Sequence, residues 1–550
     1  MKTTYKIFLM VLIISGFLTA CKDQLDIKNP NNPTPASASN EAGVIGLAQG
    51  GVYLSGFTTD AANTPVTYGD KYYDGVIGVF FNGVYGIHDM MGDQVAAEAA
   101  NAYMNQISCP NDVTLDDGTK VLNPNSPNTF IPFIRSVNVN SNQGQNPAFH
   151  EWAFMYGLNN SCNNILDLVE KTAFSGDASA KKNTIKAWAY FWKGFAYSRI
   201  GSIYYAGVVN NASGATNGNY VTKEKIIEES NANLDKAITL LTALGSSSDY
   251  SDVLGKLIPD FCQTGKGGVL TSAQWIRNIN TLKARNILAN TTVSAMTAAQ
   301  WGGILTLTNT GITASDKVFT GRANTSSDVF NAGSYNVAAR CVGSNATGGT
   351  FKVSERLIQD FNIGDQRLSN NFNKFTSWIG NSDRGNSFNT RWGLKDGGNG
   401  ISGVMVYTNR IPLAGEMFLV GSYEENELMK AEAKLYTSDV TGAATSIDNV
   451  RKSQGAGLTA IASTNLAIVK EELRKERRVA LAFRGLSFYD ARRWNVITDG
   501  RKNAVVISKT GVVSTKATIN YGYLDYWDVP DNELAYNPAT TGSSPVKNPK

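Results

Sequence analysis

The sequence predicts a mainly α-helical protein, built from tetratricopeptide-like helix pairs that carry a loop-rich face and a few short strands. Three observations predict it. Apolar residues recur at helical spacing in segments that come in pairs, and small residues stand beside the largest ones within them. Between these segments run long stretches rich in Gly, Asn, Ser and Pro with little periodicity.

The elements follow in order. Glu41 to Tyr53 and Ala148 to Lys171 are the first helical candidates. Next, Ile185, Trp188, Trp192, Phe195 and Arg199 recur at steps of three and four, interleaved with Ala187, Ala189, Gly194 and Ala196. Bulky side chains beside small ones let two helices approach closely. The partner is Thr222 to Leu244, with an apolar stripe of Ile226, Ile227, Leu234, Ile238 and Leu241 and Thr222 near the cap position. Ala273 to Thr292, Ser422 to Tyr436, Ala443 to Lys452 and Asn465 to Phe483 complete the set. Stacked pairs of this kind bury one continuous core.

Asn105 to Asn146, Gly245 to Gly268 and Thr297 to Val420 lack the helical period and are read as an irregular layer, with a short strand at Val404 to Asn409. Irregular stretches of such length are uncommon unless functional, so the ligand face is placed there.

The N-terminus sets the expected compartment. Lys2 and Lys6 precede the apolar run Ile7 to Leu18, too short for a bilayer span of roughly 20 residues and read as a secretory signal. It ends in Leu18-Thr19-Ala20-Cys21, a lipobox. Residues 1–20 are therefore expected to be a lipoprotein signal peptide, with Cys21 the acylated first mature residue. Residues 21–40 are read as a polar tether and 41–550 as a single body. Several acyl chains, each contributing ~0.8 kcal/mol per buried CH₂, would hold the protein on a membrane, expected to be the outer membrane with the body facing outward.

Composition narrows the function. Formal charge is +4, falling to +2 without Lys2 and Lys6, so no global field points to nucleic acid. Besides Cys21, the cysteines Cys109, Cys162, Cys262 and Cys341 lie far apart with no CxxC spacing. Gly398-Asn-Gly-Ile-Ser-Gly403 fits G-x-G-x-x-G but precedes a strand-like VMVYT, whereas phosphate cradling needs a helix N-terminus. Only two histidines, His88 and His150, are present; triad and zinc chemistry lack parts, and both are read as structural. Asp112, Asp116 and Asp117 lack EF-hand spacing and are read as a solvated turn. No cofactor or metal is expected. Paired carboxylates for glycoside hydrolysis need only two acids at a suitable separation, so a lipid-anchored hydrolase stays open as an alternative.

Aromatic residues offer flat faces on which sugar rings stack. Tyr68, Tyr72, Tyr73, Phe80, Phe81 and Tyr85 form one group, and Phe375, Trp378, Phe388, Trp392 and Tyr407 a second. Trp378 and Trp392 lie among Asp383, Arg384 and Arg391, groups able to bond hydroxyls. The candidate ligand residues are Trp378, Trp392, Arg384, Arg391, Tyr72 and Tyr85.

Near the C-terminus stands EELRKERRVALAFRGLSFYDARRW, residues 471–494. Leu473, Glu476, Ala480 and Phe483 fall on one stripe, Glu471 is expected to pair with Lys475, and Gly485 to end the helix at positive φ. Asp490, Arg492 and Arg493 offer charge partners to Glu476, Arg477 and Arg478, which reads as a structural knot. The stretch resembles the SusD/RagB signature ERR.ELAFEG.R..DLRRW through Glu476, Arg477, Arg478, Leu481, Ala482, Phe483, Gly485, Asp490, Arg492, Arg493 and Trp494. Ala480 departs from it, and Arg484 replaces a Glu.

Further stretches agree in order. Gln24 to Pro30 resembles the family's mature start, Lys186 to Gly201 its first repeat helix, Glu427 to Ala433 with Ile447 to Gly457 its later repeat, and Asn537 to Pro549 its tail. The resemblance implies an α-α superhelix with four tetratricopeptide-like units. It divides the body into an N-terminal part (41–245), a ligand-face region (297–420) and a C-terminal part (421–550). It also implies no catalysis, a glycan or peptide ligand, and a TonB-dependent outer-membrane transporter as partner.

Overall fold

The computed structural model describes residues 39–53, 67–68, 71–72, 85–97, 103, 106–124, 129–142, 146–244, 247–321, 351–379, 389–395, 416–508 and 510–550. Cys21, the signal and the tether lie outside the described residues, as do Arg384, Cys341 and the expected strand Val404 to Asn409.

The protein is mainly α-helical, with a few short strands. The helices are α1 (Glu41–Tyr53), α2 (Tyr85–Met91), α3 (Phe130–Val137), α4 (Pro147–Val169), α5 (Ala178–Ile203), α6 (Lys223–Ala243), α7 (Ser248–Leu257) and α8 (Ser272–Ala289). They continue with α9 (Ala298–Asn309), α10 (Glu355–Ile358), α11 (Gln366–Asn371), α12 (Tyr423–Tyr436), α13 (Val440–Ser453), α14 (Leu466–Ala480), α15 (Ser487–Arg493), α16 (Val496–Asp499) and α17 (Asp531–Leu534). Helix α5 runs between α4 and α6, and α12 packs along α13, α9 and α14. One connected apolar core extends from Val44 to Val529.

The α5–α6 crossing shows why small residues were needed. A Cβ at Gly194 would stand 2.6 Å from the Leu234 side chain, and one at Gly201 would stand 2.9 Å from Ile227 and 3.0 Å from the Lys223 carbonyl. On the other side of α5, Trp188, Trp192 and Phe191 interlock with Trp275 and Phe319 in edge-to-face and tilted contacts at centroid separations of 4.9–6.1 Å. Quadrupoles favour these tilted contacts.

The irregular stretches hold more helix than expected, namely α3, α7, α9, α10 and α11. Of these, α10 and α11 are too short for a clear period. Helix α9 begins with a capping box, Thr297 with Gln300, a signal present in the sequence and missed there. It docks by stacking Trp301 on Tyr436 at 4.3 Å. A four-stranded antiparallel sheet was also missed. It joins Arg501–Ile507 and Val513–Asn520 to the distant pair Asp112–Thr114 and Lys120–Leu122, a long-range pairing that local pattern does not encode. Within it Asp116 accepts the backbone N–H groups of Thr515 and Lys516, both at 2.8 Å.

Candidate functional site

A hairpin in the ligand-face region gathers three of the expected residues. Strand Phe372–Ile379, bearing Trp378, pairs antiparallel with Thr390–Leu394, bearing Arg391 and Trp392. Phe372 and Leu394 are buried and root one end in the core. Two rungs further along, Lys374 stands directly opposite Trp392, its ammonium 5.8 Å from the indole centroid. Trp392 is half-buried and Lys374 exposed, so this rung presents an aromatic face and a cation outward.

Arg391 is fixed from beneath. Its guanidinium meets the buried Glu355 carboxylate at 2.8 Å, and the same carboxylate accepts the Arg391 backbone N–H at 2.8 Å. Hydrogen bonding to Glu355 holds Arg391 above its ordinary pKa. Glu355 opens α10 behind the cap residue Ser354, and its neighbour Arg356 turns the other way, to Asp93 at 2.9 Å. The hairpin is thereby tied to the core on both sides of one peptide. Neither Lys374 nor Glu355 was singled out from sequence; strict cross-strand register is what brings Lys374 to Trp392, and no local signal carries it.

The other candidates fare differently. Tyr72 lies on the short strand Lys71–Tyr72, paired with Thr67–Tyr68. Tyr85 is not on a ligand face: it is buried, its hydroxyl donates to the carbonyls of Phe418 and Leu419 (3.2 Å each), and its ring closes over Gly485. A phenol with a buried acceptor packs well in a core, which sequence cannot distinguish from a sugar platform.

The charged C-terminal stretch is a buried ion-pair lattice. Glu476 is gripped by Arg367 (2.5 Å) and Arg451 (3.1 Å), and Asp490 by Arg477 (2.9 Å) and Arg493 (2.7 Å). Glu432 holds Arg493 through both oxygens at 2.6 Å. Asp360 serves Arg478 (2.5 Å), Arg474 (2.8 Å) and Arg501 (3.1 Å). Burial works against the Asp360 charge, yet Arg501, Arg478 and Arg474 together hold its carboxyl far below the usual range. Buried charges persist only when matched in this way.

Several expectations for this stretch change. Glu471 pairs with Arg474 at 2.8 Å and not with Lys475, which bonds Asn362. Glu476 turns to Arg367 and Arg451, outside the stretch, because α14 presents it to α11 and α13. The helix ends at Ala480 and the chain reverses through Phe483 at φ 61° and Gly485 at φ 65°. Arg484, in place of the signature's Glu, meets Glu424 at 2.9 Å and lies 4.3 Å over the Phe418 ring.

His88 is buried, with Nε2 at 2.8 Å from Glu151, which also binds Arg199 at 2.5 Å. Burial pushes the His88 pKa down. Beside it, Asp89 accepts from Gly485 N–H (3.2 Å) and Ser487 (3.3 Å) through Oδ1. Its Oδ2 has no hydrogen-bond partner among the described residues, and burial raises the carboxyl to about 8. These groups are buried.

Comparison with known proteins gives the arrangement a context. Residues 425–544 match the SusD family model. The fold is similar to that of a SusD-like carbohydrate binding protein from Bacteroides vulgatus, at 14% identity and a TM-score of 0.55, covering 92% of this chain and 98% of that one. It is also similar to surface glycan-binding protein A from Bacteroides fluxus, at 13% identity and a TM-score of 0.54 over 92% and 98% of the two chains. A structure solved with a xylogluco-oligosaccharide matches at 12% identity and a TM-score of 0.55, over 92% and 99%. No curated protein matches the sequence.

Proposed function

We propose that this chain, whose residues 425–544 match the SusD family model, is a SusD/RagB-type protein that binds oligosaccharide or polysaccharide at the cell surface and delivers it to a TonB-dependent outer-membrane transporter. The observation that carries the reading is the combination of the family match over 425–544 with a fold shared almost end to end with proteins described as carbohydrate- or glycan-binding. Trp392, Lys374 and Arg391 supply a recognition surface of the required chemistry: a flat apolar face for a sugar ring, with donors beside it for hydroxyls. Trp378, Arg384 and Tyr72 are proposed as further ligand residues. The proposed role is capture without turnover.

Calorimetry of the full chain against panels of neutral and acidic oligosaccharides and of peptides tests the reading. Heat from at least one glycan is expected; heat from peptides alone would overturn it, and release of shortened product from a bound glycan would replace it with a hydrolase. The membrane attachment proposed through Cys21 predicts that Cys21→Ala moves the protein out of the membrane fraction while ligand affinity is kept. Retention of the variant in that fraction would remove the anchor.

A further inference from the structure

A cleft of about 360 Å³ opens at the C-terminal charge lattice, apart from the hairpin. That volume is in the range of small-molecule sites, ~300–1,000 Å³. Trp494 and Ile497 give it an apolar side, and Arg474, Arg478, Arg501 and Lys502 line the other. Its charge is unbalanced. Arg474, Arg478 and Arg501 converge on the one carboxylate of Asp360, and Arg474 has Glu471 besides. Lys502 is exposed on its strand, and no carboxylate pairs with it among the described residues.

The remaining acids of the wall are already matched. Asp93 binds Arg356 at 2.9 Å, with Arg501 a further neighbour at 3.8 Å, and Asp490 is shared by Arg477 and Arg493. Four cations therefore stand against two carboxylates around a concave, partly desolvated space. The strain shows at Arg478: burial and then the adjacent Arg501 guanidinium pull it below its ordinary pKa. An oxyanion entering the cleft would supply the missing negative charge and accept charge-assisted hydrogen bonds from planar guanidinium groups.

We propose that this cleft is a second binding site, for a ligand bearing a compact oxyanion: a carboxylate, sulfate or phosphate group. Trp494 and Ile497 would cover an attached ring, and the arginines with Lys502 would hold the charge. The oxyanion could be carried by an acidic sugar or arrive as a free inorganic ion. The experiment titrates the full chain calorimetrically with galacturonate, inorganic sulfate, inorganic phosphate and neutral galactose, alongside the variants K502Q and R474Q. At least one anion is expected to bind, with affinity falling about tenfold or more in each variant, the loss of one charge-assisted contact. Galacturonate binding well above sulfate and phosphate identifies an acidic sugar; sulfate or phosphate binding as well as galacturonate identifies the free ion. K502Q breaks no ion pair of the fold, so its folded state serves as the control. No heat from any of the three anions, or heat unchanged in both variants, overturns the proposal. The glycan-capture reading fails separately, if no oligosaccharide binds and Trp392→Ala changes nothing.

Discussion

The ligand-face hairpin and the C-terminal charge lattice both combine arginines with tryptophans, yet they spend them differently. In the lattice, Arg493 gives its guanidinium to Glu432 and Asp490 and is buried over the Trp494 ring at 4.5 Å. On the hairpin, Trp392 stays half-buried and Lys374 leaves its ammonium in solvent. The same residue types thus serve cohesion where they are buried, and stand open to solvent on the hairpin, where recognition is proposed. What separates the two is exposure, since Arg391 also rests on a buried carboxylate, Glu355, and substitutions can test that division.

The largest effect should come from Glu476→Ala. It leaves Arg367 and Arg451 buried beside an empty space and should cost about 3–5 kcal/mol of stability, read by urea unfolding, while the folded fraction keeps its glycan affinity. A loss of affinity with stability intact would break the comparison.

Next comes pH. Asp89 binds its proton more tightly folded, at about 8, than at the ordinary 3.8, so the native state holds more protons than the unfolded one between those values. Its contribution is fully present below pH 4 and is lost as pH rises toward 8, at a slope of at most about 1.4 kcal/mol per pH unit. Asp89→Asn should flatten that slope in thermal unfolding between pH 5 and 8; an unchanged slope would acquit the residue. Gly194→Ala should cost about 2 kcal/mol by driving a methyl into Leu234, with m unchanged. Trp392→Ala should have the smallest effect on stability, and weaken glycan binding about tenfold, or ~1.4 kcal/mol. Equal losses in stability and binding would return Trp392 to the core.

The helices were legible because periodicity is local. Glu41–Tyr53 matches its sequence-based bounds, and Pro147–Val169 and Lys223–Ala243 lie within a residue or two of theirs. The signature stretch was legible as a knot, since alternating acids and arginines on an amphipathic helix require charge partners. The identities of those partners were not. Glu476 faces Arg367, 109 residues away, and Arg478 faces Asp360, 118 residues away, and sequence spacing carries no such distance. The hairpin proposed as a binding surface was half legible for the same reason. Trp392 and Arg391 were visible as residue types, but Lys374 joins them only through strand register, and Tyr85 differs from them only by what lies over it.

The pairing of Asp93 with Tyr521, at 2.6 Å across 428 residues, has a temporal consequence. At synthesis rates of ~5–20 residues per second, the early acid waits roughly 20 to 90 seconds before its late partner emerges. Until then the clamp around α2 has no second jaw, and loop closure of that span must precede its reward. Asp93 therefore cannot complete this clamp until nearly the whole chain has been made.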